Sequence, residues 1–120
     1  MLRVVIDTNI VVSALMTPYG NAARILDLIA DKKLIVCYSE SIRAEYMRVL
    51  SRPRFSFSVE DQESFINAIQ RFGMFVEPEP DMSAIPFHDE SDRIFYDVAK
   101  FCDATLITGN IKHYPAEGCS

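Results

Sequence analysis

The sequence predicts an α/β fold in which a parallel sheet carries helices on both faces. Short, β-branched apolar runs alternate along the chain with longer segments that have helical periodicity. Each run is almost continuously apolar, which is typical of strands buried on both faces of a parallel sheet. Because parallel strands are joined by right-handed crossovers, we expect the intervening helices to cover both sides of that sheet.

The strands are predicted from four apolar runs, each followed by a polar or turn-forming residue. These runs are Leu2–Ile6, Leu34–Tyr38, the short Met74–Val76, and Ala104–Ile107.

The helices are predicted from apolar residues that recur every three or four positions, and from residues suited to their ends. Asn21 and Ser39 are predicted N-caps, and Gly73 is a predicted C-cap. The predicted helices are Ile10–Met16, Ala22–Asp31, Glu40–Leu50, one opened by Ser58 and closed by Gly73, and one from Asp89 to Cys102.

Size and composition favour a single globular domain. The chain has 120 residues, of which 49% are hydrophobic and 24% charged, so one domain over residues 1–120 is expected. No apolar run approaches the roughly 20 residues that cross a bilayer. The N-terminal run contains Asp7 and has no cleavage site of small residues, which argues against a signal peptide. A cytoplasmic location without membrane partners is expected.

Charge and metal-ligand composition exclude several classes of site. The net charge of −5 argues against a broad basic surface for nucleic acid, although acids that hold metal ions would reverse the local charge. Three cysteines without a C-x-x-C pair, and only two histidines, argue against a disulfide scaffold and a zinc site.

Polar residues follow the first and last predicted strands. Asp7 comes directly after the first strand, and ligands of open parallel sheets bind beyond the carboxyl ends of the strands. Asn110 follows the last strand and repeats the arrangement. Four neighbouring polar residues are candidates to orient ligands at this edge: Thr8, Asn9, Ser13 and Thr108.

Two further acids lie on predicted helices. Glu45 precedes Tyr46 of an apolar stripe and therefore borders the buried face. Asp92 lies in a first helical turn, where the helix dipole favours negative charge. If Asp7, Glu45 and Asp92 gather in one cleft, they need a cation to remain ionised. Oxygen ligands favour Mg²⁺ or Mn²⁺, and such a centre suits phosphodiester hydrolysis.

Each of these residues also has a structural interpretation. Asp7 and Asn110 suit turns, Glu45 suits a solvated helix face, and Asp92 suits a helix start. The metal hypothesis therefore depends on the set.

Four segments resemble the motifs of the PIN-domain family of metal-dependent ribonucleases, and together they extend over essentially the whole chain. Val5–Asn9 is similar to the opening motif of a hydrophobic strand followed by Asp-Thr-Asn, which is a fairly specific match. The second, third and fourth motifs correspond to Ser41–Leu50 with its glutamate, Asp89–Asp92, and Leu106–Asn110.

The resemblance implies a three-layer α/β/α sandwich with a central parallel sheet of four to five strands. It implies Asp7, Glu45 and Asp92 as ligands of Mg²⁺ or Mn²⁺, Asn110 as a further catalytic residue, and single-stranded RNA as substrate. VapC-like toxins of bacterial toxin–antitoxin pairs are the subgroup nearest in size, which implies a homodimer and an antitoxin partner. Seven arginines are candidates to guide RNA phosphates, with Arg43 and Arg93 nearest the proposed ligands in sequence: Arg3, Arg24, Arg43, Arg48, Arg52, Arg54 and Arg93.

The chain departs from the family pattern at two places. Many members have an aspartate at the fourth motif, where this chain has Asn110, so a three-acid site with weaker binding of a second metal is expected. The family usually adds a final strand, and residues 116–120 offer little to form one. Two alternatives stay open here: the edge of the sheet is short, or the sequence is cut off at Ser120.

Two other functions stay open on the sequence. Asn110 also fits a catalytically weak or inactive interaction module of the same fold. Asp7 after a first strand also suits a phosphatase with an aspartyl-phosphate intermediate. That chemistry commonly needs a second acid where Asn9 stands, and the chain has no G-x-x-x-x-G-K-[ST] loop for a nucleotide.

Overall fold

The structure is a computed structural model that describes residues 2–78 and 90–108, with the backbone alone for residues 90–92. Four parallel strands form one sheet in the order β3-β2-β1-β4. They are β1 Leu2–Ile6, β2 Leu34–Tyr38, β3 Met74–Phe75 and β4 Thr105–Ile107. The interior strand β1 pairs with β2 through Val4 and Val36, and with β4 through Ile6 and Ile107.

Helices fill the connections between these strands. They are α1 Thr8–Met16, α2 Asn21–Ala30, α3 Glu40–Leu50, α4 Val59–Phe72 and α5 Glu90–Cys102, with a 3₁₀ turn over Pro53–Phe55. The connections from β1 to β2 and from β2 to β3 run in one direction along the sheet, so right-handed crossovers place α1–α4 on one face. The connection from β3 to β4 runs in the opposite direction, which places α5 on the other face. The predicted three-layer α/β/α sandwich is confirmed. Within the described residues, every helix is too short or too polar to cross a bilayer.

Most predicted element boundaries are confirmed, and the exceptions have local causes. β1, β2 and α3 begin and end at the predicted residues. The first helix begins at Thr8 rather than Ile10 because Asp7 is its N-cap. The prediction that Asn21 caps α2 was wrong, since Gly20 occupies the cap position and Asn21 is already helical.

The core lies where α3 and α5 pack against the middle of the sheet. Val4 and Val5 of β1, Ile42 of α3 and Val98 of α5 are 0% exposed. Full burial of such a side chain contributes about 1.5–3 kcal/mol, so these contacts hold the carboxyl end of β1 firmly against both helical layers.

Gly73 allows the turn between α4 and β3 to approach β2. A Cβ atom added there would lie 2.7 Å from the Val36 carbonyl oxygen and even closer to the Ile69 carbonyl oxygen. Because both neighbours are backbone atoms, a side chain cannot be fitted without moving the strand. The short edge strand β3 therefore depends on this glycine.

Candidate metal centre

The order of the strands creates a crevice beyond the carboxyl ends of β1 and β4. From β1 the chain moves to β2 and β3 on one side, whereas its return connection reaches β4 on the other side. Open parallel sheets bind ligands at such a switch point. Asp7 follows β1 and Thr108 follows β4 at this crevice.

The carboxylate of Asp7 is buried and held by two neutral donors. Asp7 is only 6% exposed. Oδ1 accepts a hydrogen bond from the Asn9 backbone N–H at 3.2 Å, and Oδ2 accepts one from the Thr108 hydroxyl at 2.6 Å. The backbone N–H of Asp7 donates to the Ile107 carbonyl at 2.9 Å. Asp7 is thus the N-cap of α1, as its structural interpretation predicts. Its second carboxylate oxygen is held by Thr108, the residue after β4.

Thr8 contributes a buried hydroxyl beside this carboxylate. The residue is 6% exposed, and its Oγ1 has no hydrogen-bond partner within the described residues. A buried polar atom without a partner costs about 1–3 kcal/mol. The Thr8 hydroxyl is thus a buried oxygen that no described residue satisfies. By contrast, Asn9 and Ser13 lie exposed on α1.

Glu45 lies on the inner side of α3, with its carboxylate fixed by an arginine. The Glu45 side chain is 15% exposed, which agrees with its predicted place beside the buried face. Arg48 donates from Nε to Oε1 at 3.0 Å and from Nη2 to Oε2 at 2.9 Å. Both carboxylate oxygens are therefore held in one orientation.

Tyr46 connects the Glu45 region of α3 to the end of β1. Its ring is 0% exposed, and its hydroxyl donates to the Ile6 carbonyl at 2.5 Å. Burial, and secondarily the charge of Asp7, raise the pKa of Tyr46, so the hydroxyl stays a donor. This hydrogen bond joins Tyr46, which follows Glu45 in sequence, to Ile6, which precedes Asp7.

Sequence reasoning placed Tyr46 on the apolar stripe and missed its polar contact. Residue type alone indicates that a polar contact exists, because a buried tyrosine normally finds a partner for its hydroxyl. Nothing in the sequence indicates which group is the partner, because the Ile6 carbonyl lies 40 positions away.

Two predicted site residues lie partly or wholly outside the described part of the chain. The backbone of α5 places Asp92 in its first turn, as predicted, but the Asp92 side chain and the whole of Asn110 are not described. Among the described side chains, no three histidines, cysteines or acids group into a metal site. Asp7 and Glu45 are the described members of the predicted ligand set.

A second polar cavity lies beyond the ends of β2 and β3. It has a volume of about 250 Å³ and is lined by Ser39, Ser41 and Glu77, together with Arg93 and Asp97 of α5. Arg93, predicted to guide RNA, therefore faces this cavity.

The chemistry of the described candidate donors fits a hard divalent cation. Asp7 and Glu45 offer carboxylate oxygens, and Thr8 offers a buried hydroxyl oxygen without another described partner. Mg²⁺ and Mn²⁺ prefer such ligands, whereas zinc and copper prefer imidazole or thiolate. Cys37 is unsuited to ligation because burial, and secondarily Cys102, raise the pKa of its thiol to about 12.

Comparisons with known proteins agree with this fold. The family model described as PIN domain matches residues 3–112. An uncharacterized protein of Methanocaldococcus jannaschii, MJ1680, is 30% identical over 112 residues, which cover 91% of this chain and 71% of that protein. The crystal structure of VapBC2 from Rickettsia felis, bound to a DNA fragment from their promoter, is similar with a TM-score of 0.59 at 20% identity, over 92% of this chain and 90% of the other. The chain belongs to the PIN-domain family.

Proposed function

We propose that this PIN-domain protein is a Mg²⁺- or Mn²⁺-dependent endoribonuclease that hydrolyses phosphodiester bonds of single-stranded RNA. The buried carboxylate of Asp7 at the switch point carries the proposal, because a fixed acid suits a ligand site there. Membership of the family supports it, since PIN domains are generally nucleases.

In this proposal Asp7, Glu45 and Asp92 hold the metal, and Asn110 is a further catalytic residue without charge. A bound Mg²⁺ or Mn²⁺ would supply Lewis acidity for displacement at phosphorus. The chain's own contribution is orientation. Thr108 and the Asn9 N–H hold the Asp7 carboxylate in one orientation, and Arg48 holds that of Glu45.

The replacement Asp7→Asn tests the proposal most simply. Asparagine keeps one oxygen, which can accept the Asn9 hydrogen bond, and places an amide NH2 where the Thr108 hydroxyl can accept instead of donate, but it removes the charge that attracts a cation. We expect cleavage of single-stranded RNA to fall by more than the roughly 10–100-fold typical of losing an outer-sphere partner. Asp61→Asn, which removes an exposed acid in the first turn of α4, is the matched control and should cleave as wild type does.

Two results would contradict the proposal. One is undiminished cleavage by Asp7→Asn in protein purified free of contaminating nuclease. The other is the absence of any Mn²⁺ binding by wild type at millimolar metal in calorimetry, which would favour the non-catalytic interaction module.

We also propose an antitoxin partner, a homodimer and a cytoplasmic location. The similarity of fold to VapBC2 supports the partner. Leu2, Phe75 and Phe101, which are 55%, 53% and 62% exposed, support contacts with other chains. Co-purification with the product of the adjacent gene, and light scattering of the protein alone, test these points. A monomer that forms no such complex would contradict them.

A further inference from the structure

A cavity of about 510 Å³ lies between α3 and α4. This volume falls within the range of about 300–1000 Å³ that small ligands occupy in proteins. Its apolar lining includes Ala44, Leu50 and Ile66, and it also includes Met47 and Val59, which are 46% and 66% exposed. Leu50 and Ile66 are buried and form an apolar floor, whereas Ala44, Met47 and Val59 are exposed apolar side chains of the walls.

The charge of the cavity differs from that of the chain. Arg43 and Arg48 line it, against the single acid Glu63. The chain as a whole has a net charge of −5, yet positions 43–54 contain four arginines, Arg43, Arg48, Arg52 and Arg54, and one acid, Glu45, so this segment has a net charge of +3 (4 − 1). Arg43 and Arg48 are each paired with an acid of α3, Glu40 and Glu45. This segment therefore provides a local attraction for anions that the overall composition does not predict.

Arg48 joins the cavity to the candidate metal centre. It donates to both oxygens of Glu45, and its side chain is 57% exposed where it lines the cavity. A guanidinium has five N–H donors, and these contacts use two of them. The remaining donors can serve an anion in the cavity while Glu45 stays in place.

We propose that the cavity between α3 and α4 binds a nucleotide of the RNA strand beside the bond that is cut. The base packs on the apolar lining, and Arg48 donates to the phosphate. This inference rests on the proposed function for the identity of the strand. It adds the path that the strand follows from the metal centre, over α3 towards the N-terminal half of α4.

RNA binding by two variants tests the proposal. Arg48→Ala removes the phosphate donor. Val59→Glu places a negative charge at the cavity but at a helix start, where an acid does not disturb the helix. The matched control is Arg71→Ala, which removes an exposed arginine 12 positions beyond Val59, about 18 Å further along α4. Thermal melts confirm that all variants are folded.

The probe is a fluorescein-labelled single-stranded RNA of 12 nucleotides, followed by anisotropy with Ca²⁺ in place of Mg²⁺ and checked on a gel for intactness. We expect Arg48→Ala to raise Kd about tenfold, since it loses a hydrogen bond between charged groups. The slope of log Kobs against log salt should fall in magnitude by about 0.7, the value for one phosphate of a single strand. Val59→Glu should also weaken binding, and Arg71→Ala should stay within about twofold of wild type.

The possible failures separate the cavity from the proposed function. If wild type binds and cleaves RNA but Arg48→Ala and Val59→Glu bind like Arg71→Ala, the cavity proposal is overturned and the nuclease proposal stands. If Arg48→Ala lowers kcat with unchanged RNA affinity, Arg48 acts only by positioning Glu45, which also overturns it. A change in oligomeric mass or in partner binding by Val59→Glu, with RNA affinity intact, would make the surface a protein interface instead. If wild type neither binds nor cleaves RNA, both proposals fail.

Discussion

Helix α3 carries two arginine–glutamate pairs that have the same spacing and opposite orientation. Arg43 pairs with Glu40, and Arg48 pairs with Glu45, each three positions apart. In the first pair the acid is 55% exposed and the arginine 26%, whereas in the second the acid is 15% exposed and the arginine 57%. The arginine is therefore the more buried member of the first pair, and the acid is the more buried member of the second.

The surroundings of the two acids explain the difference. Glu40 is the first residue of α3, next to the cap Ser39, where the helix dipole stabilises an acid in water. Glu45 lies one turn further on, beside Tyr46, whose buried hydroxyl attaches α3 to the end of β1. One sequence pattern therefore stabilises a helix start in the first case and holds a mostly buried carboxylate in the second.

The largest expected effect separates the two acids by function. Glu45→Gln should reduce Mn²⁺ affinity and RNA cleavage by at least about 10–100-fold, because it removes a charged ligand from the proposed site. Glu40→Gln should leave both unchanged. Calorimetry with Mn²⁺ and a cleavage assay measure the two quantities. Equal losses in the two variants would contradict the distinction between the pairs.

The attachment of α3 to β1 should have a measurable effect on stability. Tyr46→Phe keeps the ring but leaves the Ile6 carbonyl without its donor, so we expect the free energy of unfolding to fall by about 1–3 kcal/mol. Tyr19→Phe removes the hydroxyl of a residue that is 98% exposed and is the matched control. Urea denaturation measures both, and equal midpoints would show that the Tyr46 bond does not stabilise the protein.

The coupling within each pair should follow the burial of its acid. In a double-mutant cycle with Glu45→Ala and Arg48→Ala, we expect a coupling of about 0.5 kcal/mol, because the acid is shielded but the arginine is exposed to solvent. The cycle with Glu40→Ala and Arg43→Ala should give a smaller value. Urea denaturation provides the free energies, and a larger coupling for the outer pair would reverse this ranking.

The smallest effect concerns the titration of the outer acid. The hydrogen bond from Arg43 lowers the pKa of Glu40 below its ordinary value of 4.5. Any stability from this contact is therefore present above pH 4.5 and is lost as the pH falls through the lowered pKa. Carboxyl NMR should show the Glu40 pKa rising in Arg43→Ala. A Glu40 pKa that is unaffected by this replacement would contradict the assigned contact.

The fold was predictable from the sequence because its strands are short apolar runs between strong end signals. The bounds of β2 follow from the run Leu34–Tyr38, and those of α3 follow from Ser39, whose side chain accepts the Ile42 N–H. The cap of α2 was not predictable from residue type, because asparagine is the stronger capping residue and yet Gly20 occupies the cap position.

The sequence predicted the low exposure of Glu45 and the place of Asp7 after β1, but not the contacts of these acids. Asp7 and Glu45 could be selected from their places after a strand and beside an apolar stripe. Nearness in sequence selected Arg43 and Arg93 among the candidate arginines, but it did not indicate that Glu40 holds Arg43 or that Arg48 is the arginine on Glu45. The direction of a side chain from a helix depends on the packing behind it, which the order of residues does not reveal.

A crystal soaked in Mn²⁺ and measured for anomalous scattering tests the metal centre most directly. We predict one strong peak in the crevice beyond β1 and β4, bound by oxygens of Asp7, Glu45 and Asp92 at distances close to the roughly 2.0–2.1 Å of Mg²⁺ ligands. Density elsewhere, or none at saturating Mn²⁺ with the three carboxylates pointing apart, would show that these acids do not form a metal site.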